Sequence, residues 1–116
     1  MNQNERLKII AKAADSKRAD DIKIIKISDL TIISDYFVIA NGNSSTQTKA
    51  IADEIEFKMK EAGVTPLRTE GYQGANWIIL DYGDIVVHVF YKETREFYNL
   101  ERLWNDGDEI DVESLL

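Results

Sequence analysis

Cysteine is absent from the 116 residues, and histidine occurs once, at His88. Disulfides, thiolate metal sites and histidine-rich metal clusters are thereby excluded, and no metal or cofactor is expected. No run of eighteen apolar residues is present, so no membrane-spanning helix is expected. Basic residues are in the minority: 14 Lys and Arg face 21 Asp and Glu, for a net charge of -7. A chain this acidic is a poor general ligand for nucleic-acid phosphates, so no direct, specific nucleic-acid binding is expected. A basic protein is the better-matched partner. The opening MNQNERLKIIAKAAD lacks the apolar core of a secretory signal and carries acids that a transit peptide avoids, so a cytoplasmic setting is expected.

What is present is the composition of a globular domain, 44% apolar and 30% charged. The length suits one core, expected over residues 1–104, followed by an acidic tail over residues 105–116. Leu7, Ile10, Ala11 and Ala14 recur at helical spacing and predict a helix over about Asn4 to Lys17. The β-branched run IKIIKI predicts a strand over Ile22 to Ile27, and SDLTIISD reads as a connection rich in turn residues. YFVIAN, Tyr36 to Asn41, is apolar nearly throughout and predicts a central strand. Gly42 allows a tight turn, Ser44 or Ser45 can cap the next helix, and Ile51, Ile55, Met59 and Ala62 form its apolar stripe up to Gly63. Pro66 makes the strand near Leu67 to Glu70 short and confines it to an edge. KETREFYNLERLW reads as one or two short helical pieces, and NDGDEIDVESLL as a mobile acidic tail whose leucines can dock. The order is αββαβββα: an α/β fold of two layers, with helices packed on one face of a mixed β-sheet.

WIILDYGDIVVHVF, Trp77 to Phe90, carries the functional question. With Gly83-Asp84 as a two-residue turn, Tyr82 faces Ile85, Leu80 faces Val87 and Ile78 faces Val89. That face is wholly apolar or aromatic and should pack on the helices. The opposite face holds Trp77, Ile79, Asp81, Val86, His88 and Phe90. A buried face retains an acid and an imidazole only when they are paired. A merely solvated face does not gather two large aromatics and an isoleucine. Aromatics rimmed by a few polar groups are the pattern of a protein-binding patch. The competing expectation is that Leu100, Leu103 and Trp104 fold back over this face; the two expectations are compatible if the cover is partial.

A catalytic alternative uses the same region. A strand running into Gly42-Asn43-Ser44-Ser45 and a helix can hold an anion, and with Asp81 and Asp84 the layout resembles a nucleotidyltransferase. Those enzymes place acids two apart on the strand after the Gly-Ser helix, where they converge on magnesium. Here that strand offers only Glu70, and Asp81 and Asp84 flank a turn. No basic cluster is available for a triphosphate, since Lys49 and Arg68 are isolated. A nucleotide-handling enzyme at the Gly42–Ser45 turn therefore stands as the alternative, and an adaptor for another basic partner as a third class.

SDYFVIANGNSSTQ, followed by EGYQGANWIILDYGDIVVHVFYKETREFYNLERLW, resembles the ribosomal silencing factor family (RsfS, or Iojap). The motifs D-Y-F-V-I-A-x-G-N-S, W-x-x-x-D-x-G-D-x-V-V-H-V-F and R-x-F-Y-x-L-E-x-L-W, in that order, carry the resemblance, which covers nearly the whole chain. It implies a nucleotidyltransferase-like α/β fold without the catalytic acids, and hence no enzyme activity. It implies a translational repressor that binds the large ribosomal subunit through ribosomal protein L-fourteen (uL14) and sterically blocks joining of the small subunit during starvation or stationary phase. It also implies a homodimer. The family grips its partner around the tryptophan of W-x-x-x-D, here Trp77, with Ile79 and Asp81 beside it. The partner-binding set expected for this chain is Trp77, Ile79, Asp81, His88, Tyr98, Leu100, Glu101 and Trp104. Two departures are modest: Asn41 stands where a small Ser or Thr is usual, and the tail beyond Trp104 is longer and more acidic than in the shortest members.

Overall fold

The structure, a computed structural model, describes residues 1–116. Asn2 caps the first helix, its side-chain oxygen accepting from the Glu5 amide at 2.8 Å, and α1 (Gln3–Ser16) follows. Its buried residues include the expected Leu7, Ile10, Ala11 and Ala14. Strands β1 (Asp20–Lys26) and β2 (Tyr36–Gly42) pair antiparallel. Ser44 caps α2 (Ser45–Glu61), accepting from the Gln47 amide at 3.0 Å; such a cap is worth about 1 kcal/mol. The edge strand β3 (Arg68–Glu70) is short and exposed, as Pro66 predicts. Strands β4 (Trp77–Asp81) and β5 (Ile85–Tyr91) form the hairpin, and the short helices α3 (Lys92–Tyr98) and α4 (Leu100–Leu103) come next. The chain ends in strand β6 (Asp108–Ile110) and a 3₁₀ turn over Val112–Leu115.

The six strands form one sheet in the order β3-β4-β5-β2-β1-β6. Only the central β2–β5 pair is parallel, which makes the sheet mixed. The hairpin register is the one expected: Ile78 opposes Val89, Leu80 opposes Val87, and the Tyr82 amide donates to the Ile85 carbonyl at 2.8 Å. Gly83 takes a φ of 88°, a conformation that a side chain would strain.

One sheet face is covered by α1 and α2. Ile24, Val38, Val87 and Leu80 lie in one row across the strands and pack with Ile10, Ile51, Ile55 and Met59 of the helices. Complete burial of each such aliphatic side chain stabilises the fold by about 1.5–3 kcal/mol.

Two features differ from the sequence expectation. The helices do not all lie on one face: α1 and α2 cover the inner face, but Leu100 of α4 is buried in a second cluster on the outer face with Ile25, Phe37, Ile39, Val86 and Phe90. The residues after Trp104 are also not a mobile tail. β6 pairs with β1, Ile110 opposite Ile24, and Leu115 is buried in the main core beside α1. The physical reason is that β1 would otherwise expose its backbone edge, which the acidic strand DEI covers with hydrogen bonds that demand no apolar side chains.

Candidate binding face

The outer face is built in rows set by strand register. Asn41, Phe90 and Trp77 form one row, Ile39, His88 and Ile79 the next, and Phe37, Val86, Asp81 and Arg68 a third. The alternation of the β-strand puts all of them on one side. Leu100 and Trp104 cover the β1–β2 half, where Trp104 meets Phe37 edge-on at 5.4 Å between ring centroids. The β3–β4 half is uncovered. The chain folds back over one half of this face and leaves the other open; of the three residues expected to form the cover, Leu100 and Trp104 do, whereas Leu103 is 73% exposed and takes no part.

Trp77 stands at the boundary, half-buried. Its indole stacks on Phe90 at 4.9 Å and meets the Tyr98 ring at 5.0 Å. The indole N–H donates to Nδ1 of His88 at 3.0 Å. His88 itself is buried, 5% exposed, with its ring edge-on to Phe37 at 4.5 Å. Burial disfavours the imidazolium and lowers the His88 pKa to about 4, against the opposing pull of the Asp81 charge. The imidazole is therefore neutral. With Nδ1 accepting, the proton sits on Nε2, which has no hydrogen-bond partner.

Asp81 is half-buried and bound on both oxygens. Oδ1 accepts from the Gly83 amide at 2.8 Å, fixing the turn, and Oδ2 accepts from Nε of Arg68 at 3.1 Å. Asp84 faces the other way, towards α1. It accepts two bonds from Arg6, at 2.7 and 2.6 Å, and one from Gln3 at 3.0 Å, while Gln3 also donates to Asp35 at 2.6 Å. The Arg6 hydrogen bonds dominate and lower the Asp84 pKa to about 2 against the cost of desolvation. Neither carboxylate of the hairpin turn is free, and the two point to different partners. Tyr82, on the inner face, has a buried hydroxyl without a partner, and burial raises its pKa strongly.

Of the expected partner-binding residues, the structure leaves Trp77, Ile79, Asp81, Tyr98, Glu101 and Trp104 at least partly exposed. Two lie inside: His88 and Leu100, the latter 8% exposed. His88 supports the face from beneath and Leu100 roofs its β2 side, and neither is available for direct contact. The sequence treats every second residue of β5 alike; it cannot show that Leu100 and Trp104 roof the β2 side of the strand. Glu101 is tied internally to Arg95, whose guanidinium is 5% exposed and also donates to Asn41 Oδ1 at 2.9 Å and to the Asp20 carbonyl at 3.2 Å. Asn41 thus takes one donor of a buried arginine. The remaining Nη2 of Arg95 has only the 3.5 Å approach of Asp21. This network and the Arg6–Asp84 clamp went unseen in the sequence, because their partners are 54 and 78 positions apart. Phe97 is a further aromatic group beside the open half, 81% exposed.

At the Gly42–Ser45 turn the chain caps part of the helix start itself. The Asn43 amide donates to the Gln47 side chain at 2.8 Å, the Gln47 amide to Ser44 Oγ, and the Thr48 amide to the Ser44 carbonyl at 2.9 Å.

These features define a class: a small mixed-sheet α/β domain with one face packed on helices and the other presenting a half-covered aromatic surface. The family model for "Ribosomal silencing factor during starvation" (RsfS) matches residues 1–116. A ribosomal silencing factor from Bacillus subtilis is 45% identical over 113 residues, which is 97% of this chain and 96% of the relative. The crystal structure of a protein from Chromobacterium violaceum, 34% identical, superposes with a TM-score of 0.88 over 96% of this chain and 92% of its own. One from Bacillus halodurans, 39% identical, gives 0.83 over 95% and 99%. The chain belongs to the family of ribosomal silencing factors.

Proposed function

We propose that this chain represses translation by binding the large ribosomal subunit through ribosomal protein L-fourteen (uL14) and blocking the approach of the small subunit. It acts as a binding protein without catalysis, in the cytoplasm, as a homodimer when free, on a fold of nucleotidyltransferase type that has lost its chemistry. The observation that carries this reading is the open half of the outer face: Trp77, Ile79 and Asp81 lie along one side of β4 and stay partly exposed, with the exposed Tyr98 ring against Trp77. Trp104 borders it, while His88, Leu100 and Glu101 act by holding its rings and backbone in place. Residues 1–104 supply this surface, and residues 105–116 close the far edge of the sheet. The acidic balance of the chain suits a basic ribosomal protein.

The nucleotide alternative loses support because the carboxylates it would need, Asp81 and Asp84, are committed to Arg68 and to Arg6. The deciding experiment is a density-gradient profile of ribosomes with and without the purified chain. Loss of joined particles with the chain on the large-subunit peak is the expected result; unchanged joining with the chain at the top of the gradient refutes it.

A further inference from the structure

Beside Trp77 lies a cleft of about 450 Å³ at the rim of the open face. Its walls include the rings of Trp77, Tyr91, Phe97 and Tyr98, with Asn76 at one side, and Glu93 is the only charged residue lining it. The Trp77 indole N–H is turned into the protein and bonded to His88, so the cleft meets the ring of Trp77 rather than its donor. An indole that donates a hydrogen bond is also more electron-rich on its faces. Phe97 and Tyr98 stand edge to face at 5.1 Å, and both are exposed.

Ring faces carry negative potential and attract cations. A lone carboxylate in the wall makes the same demand. An apolar plug would desolvate Glu93 without replacing its water, which is costly; a cation would pair with it. We propose that this cleft receives one arginine side chain of the basic partner, its guanidinium lying against the rings with Glu93 as counter-charge. This rests on the protein-binding function proposed above. Arginine is favoured over lysine because a guanidinium is planar, sheds water more readily, stacks on rings and can hold a carboxylate with two hydrogen bonds. The cleft thereby extends the binding face from Trp77 onto α3 and gives it a specificity element beyond bulk charge.

The test uses the full chain labelled with nitrogen-15, whose two indole N–H signals are assigned with Trp104→Phe. Capped arginine, capped lysine and capped citrulline are titrated in turn, citrulline being the neutral isostere. The expected result is a saturable shift of the Trp77 indole signal with arginine, weaker with lysine and absent with citrulline, and reduced in Glu93→Gln. Equal responses to arginine and citrulline, no response to arginine, or a stronger response to lysine overturns the proposal. In parallel, binding to purified large ribosomal subunits should weaken about threefold or more in Glu93→Gln and in Tyr98→Leu. Both side chains are exposed, and the spectra of the variants verify that they fold. Wild type that retains the arginine response but ignores large subunits refutes the proposed partner and leaves the cleft. Wild type that binds large subunits without an arginine response refutes the cleft and leaves the partner.

Discussion

The Trp77 indole N–H donates to Nδ1 of His88 across 3.0 Å, linking a surface ring to a buried one on the neighbouring strand. The bond fixes both the rotamer of the tryptophan and the tautomer of the histidine. His88→Leu removes the acceptor while keeping an apolar side chain. The indole N–H is then unpaired, at a cost of about 1 kcal/mol or more. The Trp77 indole signal should move and broaden, and large-subunit binding should fall. His88→Gln, which retains an acceptor, should recover part of both. An unchanged indole signal in His88→Leu would remove the positioning role.

His88 also predicts a pH dependence. Its folded-state pKa of about 4 lies below the ordinary 6.5, so the unfolded chain takes up the proton first. The associated stability is complete above pH 6.5 and is lost as the pH falls from there towards 4, a change on the order of 3 kcal/mol. Denaturant melts of wild type and His88→Gln across that window should converge as the pH falls. Parallel curves would contradict it.

Trp77→Ala removes a central aromatic group that rests on Phe90 and Tyr98. Truncation of such an anchor costs binding about 2–4 kcal/mol, at least tenfold in affinity. Because the ring is only half-buried, the fold should survive. Co-sedimentation with large subunits, alongside a melting curve, measures both effects. A folded variant that co-sediments as well as wild type would exclude Trp77 as the anchor.

Asp84 is held well below the ordinary carboxylate range by Arg6 and Gln3. Its contribution is present above pH 3.8 and is lost as the pH falls towards 2. Arg6→Met should lower stability at pH 7 by about 1 kcal/mol, since the pair is partly solvated and screened. The deficit should vanish below pH 2, where wild type too has lost the pair; urea titrations at the two pH values give the comparison.

Leu115 sits in the main core, 6% exposed. Leu115→Ala should destabilise the protein by about 2–3 kcal/mol, near the low end for a core leucine. A neutral effect by calorimetry would show that the last turn does not contribute to the core.

Much of this was legible in the chain. Gly83 and the alternation around it gave the hairpin register, and with it the division of Trp77 and Ile79 from Ile78 and Leu80. The stripe Ile51–Ile55–Met59 gave α2, and Pro66 gave the weak edge. The path of the chain after β5 was not legible. β6 is acidic, and its place is decided by backbone hydrogen bonds with β1 that leave no side-chain pattern. His88 was identifiable as needing a partner, but which ring nitrogen takes which donor depends on rotamers. Arg95 and Asn41 meet only because α3 folds over the end of β2.

The roof that Leu100 and Trp104 place over the outer face has an optical consequence. Both tryptophans of the chain, Trp77 and Trp104, belong to that smaller cluster, and neither lies among α1 and α2. Tryptophan emission will therefore report the packing of this layer directly. The larger core, on the other side of the same strands, is read through its tyrosines and its helicity.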